Sequence, residues 1–557
     1  MRARRLLTAG MATAALAAAA GVAQAGAPPA SWVDTGTRAL SLTGATSLGA
    51  APTGTPVRLA VGLTPQHKQQ IAPLIAAQST PGNASYGQFL TPAQFVNQFA
   101  PSVGQAQAVA AYLSSQGLRN VQIAANRLQV TAEGTVGQAQ SAFHTSIGLF
   151  SLGGHTVYAN TAAAQVPTAL SGAISAVLGL NDLPMNLPHK RAAAGTPNLT
   201  GFYPKQFQTV YDAAGTSTGS ATSIAIIAEG NLTSTIKDLR VAEAKQALPQ
   251  VPVSVLPTGP ASSDTAGADE WDLDSQTSTG VAQTVRHLYF YDATSLSDSD
   301  LARAINSFAA QNIAQAGSAS LGECDALAYA DGSMLVDDMA LAQAALQGQS
   351  FFASSGDTGS SCAIAPTNGV PGSGAPDTEY PASGTYTTGV GGTTLLAGAD
   401  GSYQNEIAWN AGGGGASVLE FPGIWTANAN PAYPALGVIG AGRGVPDIAA
   451  DADPNTGALI YVNGVPTQIG GTSLSSPLLL GAWARLESGH ANRLGFASPK
   501  LYGIYNAVNS APTSRAAVPG FHDIVIGVNG IYPATPGYDF TTGLGTPDLK
   551  VLNSKLH

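Results

Sequence analysis

The feature that most constrains the fold is a series of short apolar runs bounded by glycine in the region from residue 198 to residue 557, such as Ile224–Ala228 and Ser350–Ala353. Runs of this kind are typical of strands buried on both faces of a parallel sheet, with helices between them. In open α/β sheets, functional groups lie just beyond the carboxyl ends of the strands. Polar motifs follow both runs, at Glu229–Gly230 and Ser354–Asp357. We therefore predict an α/β domain with its site at that edge.

The preceding part of the chain predicts a second, smaller domain. Val57–Val61 alternates like a strand, and Thr91–Pro92 has the hydroxyl and proline that open a helix. Interleaved segments of both kinds predict an α+β domain over residues 57–186. The Pro- and Gly-rich residues 26–56 predict a loop or disordered segment. The basic and then small residues of 187–197 predict an exposed linker, either a tether or a processing site.

The first 25 residues have the pattern of a cleaved signal peptide. Arg2, Arg4 and Arg5 precede an apolar Leu/Ala run that ends near Ala23–Ala25, a small-x-small cleavage pattern. A membrane anchor is the alternative, but the run is short and interrupted by glycine and threonine. We expect export to the periplasm or the external medium, by the general or the twin-arginine route.

Composition excludes two classes of partner. The net charge is -10, which does not suit a nucleic-acid partner, and no later stretch is long and apolar enough to suggest a membrane partner. Charged residues make up only 10%, against about 25% in typical soluble domains. A chain with few Lys and Arg repels itself less when its carboxylates are neutralised, which fits an acidic environment.

The two cysteines, Cys324 and Cys362, have two possible states. In an oxidising compartment they would form one disulfide, which would stabilise the fold by about 4 kcal/mol in the chain-entropy model. Two buried free thiols are the alternative. With no cluster of histidines nearby, a structural zinc site is not expected.

A candidate nucleophile lies in the run Gly470–Pro477, with the sequence GGTSLSSP. The glycines before Ser473 permit a tight turn and a close approach of substrate. The apolar run that follows predicts a helix, so Ser473 would lie near a helix N-terminus, where backbone N–H groups can face a developing oxyanion. A capped helix start without chemistry would have a similar sequence.

Carboxyl groups are the better candidates for the base that a serine requires. None of the eight histidines lies in a His-Gly-Thr context. Glu270 and Asp274 are four residues apart and would share one face of a helix, whereas Asp272 would point elsewhere. Two like charges at that spacing repel unless they share one proton, and the pair would then titrate as a unit. Acidic residues that simply favour a helix N-terminus are the alternative.

A third candidate is Asp357, in the glycine-flanked sequence Ser355–Gly359. A carboxyl group on such a loop can donate a hydrogen bond to an oxyanion only while it is protonated. An aspartate that forms a turn is the alternative interpretation.

In chain order, the motifs Glu-x-x-x-Asp at Glu270–Asp274, Ser-Gly-Asp-x-Gly at Ser355–Gly359 and Gly-Thr-Ser-x-x-x-Pro at Gly471–Pro477 resemble the sedolisin family of serine-carboxyl peptidases. The stretch from Tyr86 to Phe99 with the elements after it resembles that family's prosegment. The resemblance implies a subtilisin-like catalytic domain over 198–557, with a mainly parallel sheet flanked by helices. It also implies a ferredoxin-like prodomain before it. The expected substrates are proteins or peptides, and the chain's own prosegment is the expected intramolecular inhibitor and folding aid of a monomer.

The same resemblance implies a role for each candidate residue. Ser473 would be the nucleophile and Glu270 the general base. Asp274 would orient Glu270 and share its proton, and Asp357 would supply the oxyanion hole. From the reference pKa values of Glu and Asp, this chemistry predicts that peptidase activity depends on pH with a bell-shaped profile. The maximum should lie at about pH 3 to 5, unless burial shifts the pKa values.

The resemblance also implies one structural calcium ion near the C-terminus. Its ligands would be the Asp523 and Asp539 carboxylates and the Ile524, Thr535 and Gly537 carbonyls, with water. The family often has glycine where Thr535 stands, which a backbone carbonyl ligand tolerates. Carboxylates and carbonyls in glycine-rich loops suit a hard cation.

Three other functions are compatible with parts of the sequence. A pepsin-like aspartic peptidase would use two Asp-Thr/Ser-Gly loops in matching halves of the chain; Asp357–Gly359 fits one, and we find no convincing partner for it. An esterase would favour Gly-x-Ser-x-Gly, and Ser473 lacks the trailing glycine. A catalytically inactive secreted binding protein on the same scaffold would not require all four candidate residues.

Overall fold

The structure is a computed structural model and describes most of the chain. The described residues are 31–40, 42, 44–152, 154–183, 187–192, 199–362, 375–398, 400–429, 431–433, 438–439 and 442–557. The predicted signal peptide, residues 1–25, and residues 193–197 of the predicted linker lie outside them. Within the described ranges, no helix is both long enough and apolar enough to span a bilayer.

An eight-stranded, mainly parallel sheet forms the centre of the C-terminal domain, as the apolar runs predict. Six parallel strands lie side by side, in the spatial order Val253–Pro257, Val285–Ala293, Gly219–Glu229, Ala316–Ala319, Ser350–Ser354 and Thr388–Ala397. Tyr403–Ala408 pairs antiparallel with the last of these, and Ile448–Asp451 pairs parallel with it. Both predicted runs are fully buried central strands.

Helices and small sheets surround this central sheet. The α-helices are Phe207–Val210, Thr233–Lys245, Ala268–Ala282, Asp298–Gln311, Asp325–Asp331, Ser333–Leu346, Thr472–Gly489, Ala497–Val508 and Leu549–Lys555, with 3-10 turns at Pro204–Gln206 and Ile424–Thr426. The short strands are Leu187–Pro188, Arg191–Ala192, Leu321–Cys324, Glu379–Tyr380, Gly415–Ser417, Ala432–Tyr433, Val438–Ile439, Arg443–Val445, Ala458–Val462, Val465–Gly470, Phe521–His522 and Thr546–Pro547.

The N-terminal domain is built on antiparallel sheets. One has four strands in the order Arg119–Ile123, Gln129–Thr135, Pro56–Leu63 and Ile174–Leu178. The others join Thr46–Ala50, Ile147–Leu152 and His155–Asn160, and Trp32–Asp34 with Gln165–Pro167. The helices are Ile71–Ser79, Pro92–Gln98, Val103–Ser115 and Val136–Ala142, with 3-10 turns at Lys68–Gln70 and Thr168–Leu170. This is the predicted α+β architecture.

The prediction of loop or disorder for residues 26–56 is wrong at two places. Trp32–Asp34 and Thr46–Ala50 are strands that pair with Gln165–Pro167 and Ile147–Leu152 respectively. Their partners lie about a hundred residues further along the chain. Local composition does not encode a pairing of this kind, because tertiary contact overrides weak local propensity.

The two faces of the four-stranded sheet have different partners. Val57, Leu59 and Val61 pack into the N-terminal domain's own core. On the opposite face, Ala60 packs with Val336 of the C-terminal domain, and Arg58 forms an ion pair with Asp300 at 2.5 Å. Successive side chains of the strand Pro56–Leu63 therefore point alternately into the core of the N-terminal domain and against the C-terminal domain.

The disulfide alternative for the cysteines is confirmed, because Cys324 and Cys362 are bridged. Cys324 ends the short strand Leu321–Cys324, here called the cleft strand. The bridge fixes this strand to the chain that follows Asp357.

Candidate active site

Three elements meet at the carboxyl edge of the central sheet, where the sequence predicts the site. They are the helix Ala268–Ala282 (the acidic helix), the loop after strand Ser350–Ser354, and the helix Thr472–Gly489 (the serine helix). The acidic helix and the serine helix pack against each other through buried faces. All four predicted catalytic residues are buried at this edge.

Ser473 is the second residue of the serine helix, as predicted, and follows Gly471, whose φ is 98°. A Cβ at Gly471 would lie 2.0 Å from the carbonyl oxygen of His189, so only glycine permits this approach. The Ser473 hydroxyl donates to the Ser320 carbonyl at 3.2 Å. Its backbone N–H donates to the His189 carbonyl at 3.0 Å.

Glu270 and Asp274 share one face of the acidic helix and are fully buried. Burial raises the pKa of Glu270 well above its usual range, Asp274 raises this pKa further, and Lys190 lowers it. The Ser473 hydroxyl also lowers the pKa of Glu270, so the two side chains face each other. Neither carboxyl oxygen of Glu270 accepts a hydrogen bond from another described residue within ordinary geometry. The hydroxyl must therefore turn from Ser320 towards Glu270 before it can transfer a proton.

Ser320 connects the second carboxyl group to the nucleophile. Its hydroxyl donates to Asp274 Oδ1 at 2.6 Å, while its carbonyl accepts from Ser473. Burial raises the pKa of Asp274 to about 8, and the Ser320 hydrogen bond opposes that rise. Two adjacent carboxyl groups with raised pKa values can hold one proton between them. Asp272 lies elsewhere, as predicted, and its electrostatic neighbours include Asp238 and Thr235.

Asp357 lies on the loop after strand Ser350–Ser354 and faces the start of the serine helix. Its Oδ1 accepts from the backbone N–H and the hydroxyl of Thr472, at 2.8 and 3.0 Å. Its Oδ2 has no hydrogen-bond partner among the described residues and, like the His189 carbonyl oxygen, lies against Gly471. Burial raises the pKa of Asp357 to about 6, so below that pH this oxygen can carry a proton towards the carbonyl.

The chain between the two domains runs through this site as two short strands, Leu187–Pro188 and Arg191–Ala192, with His189 and Lys190 between them. Residues 187–192, here called the linker segment, pair antiparallel on both sides of Ser473. Leu187–Pro188 pairs with Leu321 and Gly322 of the cleft strand, and Arg191–Ala192 pairs with Ile469 and Gly470. The His189 N–H donates to the Ser320 carbonyl at 3.3 Å. Such pairing is how peptides commonly bind in a groove.

The expectation of an exposed linker is therefore wrong for His189, which is 5% exposed. One ring nitrogen, Nδ1, lies 2.7 Å from the Ser354 hydroxyl, and the other, Nε2, lies 2.6 Å from Glu379 Oε2. Burial lowers the pKa of His189, but Glu379 more than offsets this, and the pKa is raised to about 8. Sequence reasoning missed Ser320 and Glu379, because no motif links them to Ser473, and it placed Ser354 in the polar motif Ser354–Asp357 without giving it a role.

The next two linker residues also pair with carboxyl groups. Lys190 forms an ion pair with Asp269 at the start of the acidic helix. Arg191 Nε lies 3.6 Å from Asp357 Oδ2, and its guanidinium donates to the Asp357 carbonyl. The positive charge of Arg191 lowers the pKa of Asp357, and that of Lys190 lowers the pKa of Glu270.

The carboxylates of two predicted calcium ligands, Asp523 and Asp539, meet at the turn that holds Thr535 and Gly537. The Gly537 N–H donates to both oxygens of Asp523, at 3.2 and 3.0 Å, and the Thr535 N–H donates to Asp539 Oδ2 at 2.8 Å. Thr541 and Thr542 hold the other Asp539 oxygen. Together with the Ile524 carbonyl the set offers only oxygen donors, with both carboxylates joined to residues 535–537. This donor set fits a hard cation.

A second acidic group lies elsewhere in the domain and was not predicted. Asp298, Glu323 and Asp331 are buried, with carboxyl oxygens within 4.8 Å of one another. Burial raises the pKa values of Glu323 and Asp331 well above their usual ranges, and Asp298 raises both further. Asp331 also hydrogen-bonds Asp298, which is consistent with protons shared among these groups.

Known proteins resemble this chain both in the N-terminal domain and over nearly its whole length. Residues 43–183 match the pro-kumamolisin activation domain family. Sedolisin of Pseudomonas sp. (strain 101) is 37% identical over 565 residues, covering 95% of this chain and 93% of the relative. Xanthomonalisin of Xanthomonas sp. (strain T-22) is 33% identical over 578 residues, covering 92% of this chain and 68% of the relative.

A solved structure adds the fold. Pseudomonas sedolisin, a serine-carboxyl proteinase complexed with two molecules of pseudo-iodotyrostatin, has a TM-score of 0.57 and 36% identity. The match covers 64% of this chain and 98% of that one. The predicted resemblance and fold class are thereby confirmed. The chain is a zymogen-type serine-carboxyl peptidase and belongs to the sedolisin family.

Proposed function

We propose that this chain is the precursor of an exported endopeptidase that acts at acidic pH through the four residues named from the sequence. One observation carries the proposal. The His189 carbonyl accepts the Ser473 N–H at 3.0 Å, in a cleft where Glu270, Asp274 and Asp357 are all buried. A peptide carbonyl in that position lies where a nucleophile and oxyanion donors would be needed.

The chemistry assigns one task to each side chain. The Glu270 carboxylate takes the Ser473 hydroxyl proton as the oxygen attacks the peptide carbonyl, and Asp274 stabilises the resulting shared-proton pair. The Ser473 N–H and the protonated Asp357 Oδ2 donate to the oxyanion. Glu270 then gives its proton to the leaving amine as the C–N bond breaks, which leaves an acyl-enzyme ester. Water attacks this ester by the same route and regenerates the hydroxyl.

The bond cleaved first in maturation follows from the same register. Because the carbonyl at the Ser473 N–H belongs to His189, the bond to be broken joins His189 to Lys190. We propose this bond as the first self-processing site, with Lys190 as the new N-terminus. The prosegment would inhibit the precursor by holding its own linker segment in the cleft.

Acid activation and maturation test the proposal together. The purified Ser473→Ala precursor should stay full length at pH 4, whereas the wild-type precursor should yield a chain that begins at Lys190. N-terminal sequencing and mass measurement over time give both results. Cleavage of the purified Ser473→Ala precursor at the same bond would contradict the role of Ser473, and a different first N-terminus would contradict the register.

Two further parts of the proposal concern location and metal. Arg2, Arg4 and Arg5 before the apolar run support export to the periplasm or medium. The all-oxygen donor set around Asp523 and Asp539 supports one structural calcium ion, which would stabilise the C-terminal loops. We propose a monomer, because one chain supplies every group of the described site.

A further inference from the structure

We propose that Glu379, with Ser354, forms a pocket that selects a protonated histidine as the residue on the N-terminal side of the cleaved bond. This inference rests on the proposed function and names the substrate class of the same site. The His189 ring fills the pocket with both nitrogens in contact, at 2.7 Å from Ser354 Oγ and 2.6 Å from Glu379 Oε2. An imidazolium has two N–H donors, so it can satisfy both oxygens at once.

The pocket is shaped for a flat side chain that reaches Glu379. A Cβ at Gly322 would lie 2.9 Å from His189 Cε1, and a Cβ at Gly356 would lie 2.3 Å from Glu379 Oε1. Side chains at either position would close the space around the ring or displace the carboxylate. The two glycines therefore leave room for the ring and the carboxylate to meet.

The pocket is selective because a side chain that cannot hydrogen-bond Glu379 and Ser354 leaves these buried groups unpaired. Glu379 is 6% exposed and Ser354 is fully buried. Within the described part of the chain, His189 is the only cationic side chain within 4 Å of the Glu379 carboxylate. A neutral ring such as phenylalanine would leave a buried carboxylate and a hydroxyl unpaired, and such losses are expensive. A site built to bond a polar substrate group therefore rejects analogues without that group.

The position of Glu379 along the chain explains why no local motif reveals it. Glu379 lies on the two-residue strand Glu379–Tyr380, which pairs with the cleft strand opposite Cys324. The cleft strand pairs on its other side with the linker segment. The cleft strand therefore holds the substrate backbone along one edge and the strand that carries the Glu379 carboxylate along the other.

Two peptides that differ at one residue test the selectivity with the matured enzyme at pH 5. They are Leu-Pro-His-Lys-Arg-Ala and the same sequence with Phe for His, each between a fluorophore and a quencher. We expect kcat/KM to be at least about tenfold higher for the histidine peptide. In Glu379→Gln this ratio should fall about tenfold or more, with the rate on the phenylalanine peptide kept within a few-fold. Asp377→Asn, two residues before Glu379 in the chain, is the matched control and should keep the wild-type ratio.

A double-mutant cycle on the rate of self-processing gives a second measurement, which uses the precursor and needs no mature variant enzyme. His189→Phe and Glu379→Gln should each slow self-processing, and the double variant should process faster than the product of the two single effects predicts. Equal rates on both peptides in the wild-type enzyme, or independent effects in the cycle, would overturn the inference. Failure of the wild-type enzyme to cleave either peptide or its own linker would instead contradict the proposed function.

Discussion

At the scale of single residues, activity depends on the positions of protons on three buried carboxyl groups. Glu270 must accept a proton, Asp274 must share it, and Asp357 must keep one to donate. Burial raises the pKa of all three groups, and Asp357 reaches about 6. The upper pH limit for activity, set by Asp357, and the lower pH limit, set by ionisation of the Glu270–Asp274 pair, therefore both lie higher than the reference values of the free amino acids suggest.

The base has a direct test in Glu270→Gln. The variant keeps the shape of the side chain but cannot accept the Ser473 proton, so kcat should fall about 10²- to 10⁴-fold. Asp272→Asn, on the other face of the same helix, is the control and should stay near wild type. Peptide cleavage at pH 4 measures both, and full activity in a folded Glu270→Gln enzyme would exclude this base.

The oxyanion donor has a pH signature. Asp357 donates only while protonated, so kcat/KM should decline as pH rises through about 6. Asparagine donates at every pH, so in Asp357→Asn that decline should disappear while measurable activity remains. Asp357→Ala should lose about 10²- to 10³-fold at all pH values. If kcat/KM of Asp357→Asn declined with pH as in the wild type, the decline would have to come from another titrating group.

At the scale of elements, a tight turn positions the linker carbonyl at the nucleophile, and a C-terminal loop brings two carboxylates together. Gly471 brings the linker carbonyl to the first turn of the serine helix, where the positive φ and the 2.0 Å approach both require glycine. The segment from Asp523 to Asp539 brings two carboxylates to one turn through backbone hydrogen bonds.

The turn is tested by Gly471→Ala. The added methyl group would overlap the His189 carbonyl and displace the linker segment from the cleft. We expect self-processing to stop even though the precursor folds, with a melting temperature lowered by a few degrees. Gly503→Ala is a suitable control, since nothing lies within 4 Å of a Cβ there. Normal maturation of Gly471→Ala would contradict this binding geometry.

The C-terminal loop is tested by removing calcium. Because metal binds only the folded loop, chelation should lower the melting temperature by several degrees. Burial raises the pKa of Asp539 to about 6, so protons should compete with the metal and the effect should be larger at pH 6 than at pH 4. Asp523→Asn should make the protein insensitive to chelator. An unchanged melting temperature after verified metal removal would count against the site.

At the scale of the whole molecule, the catalytic domain buries many carboxyl groups whose pKa values lie above those of the unfolded chain. Burial raises the pKa of Glu406 and of Glu487 to about 7, and that of Asp377 to about 6. The folded state therefore binds more protons than the unfolded state between about pH 4 and 7. Charge on these groups at higher pH opposes folding.

This linkage predicts an acid-stable, alkali-sensitive protein. The stabilising contribution of each raised group is complete below about pH 4 and is lost as pH rises through the folded pKa. For Glu406 alone it amounts to about 3 kcal/mol. Urea unfolding of the Ser473→Ala precursor, which should not digest itself, should give a lower free energy of unfolding at pH 8 than at pH 4. Equal or greater stability at pH 8 would contradict the prediction.

Much of the fold followed from patterns that are local in the chain. The runs at Ile224–Ala228 and Ser350–Ala353 are central strands, and Ser473 lies in the first turn of a helix. Helical spacing placed Glu270 and Asp274 on one face. These outcomes are predictable because strand burial, helix capping and side-chain periodicity depend on neighbours within a few residues.

The sequence by itself determined which chemical groups are available and on which elements they lie. Only the tertiary structure decided that His189 enters the cleft and that Glu379 and Ser354 meet it there. It also decided which carboxyl groups lose their water, and so which pKa values rise. Both kinds of outcome depend on contacts between residues far apart in the chain, and neither spacing nor composition specifies those contacts.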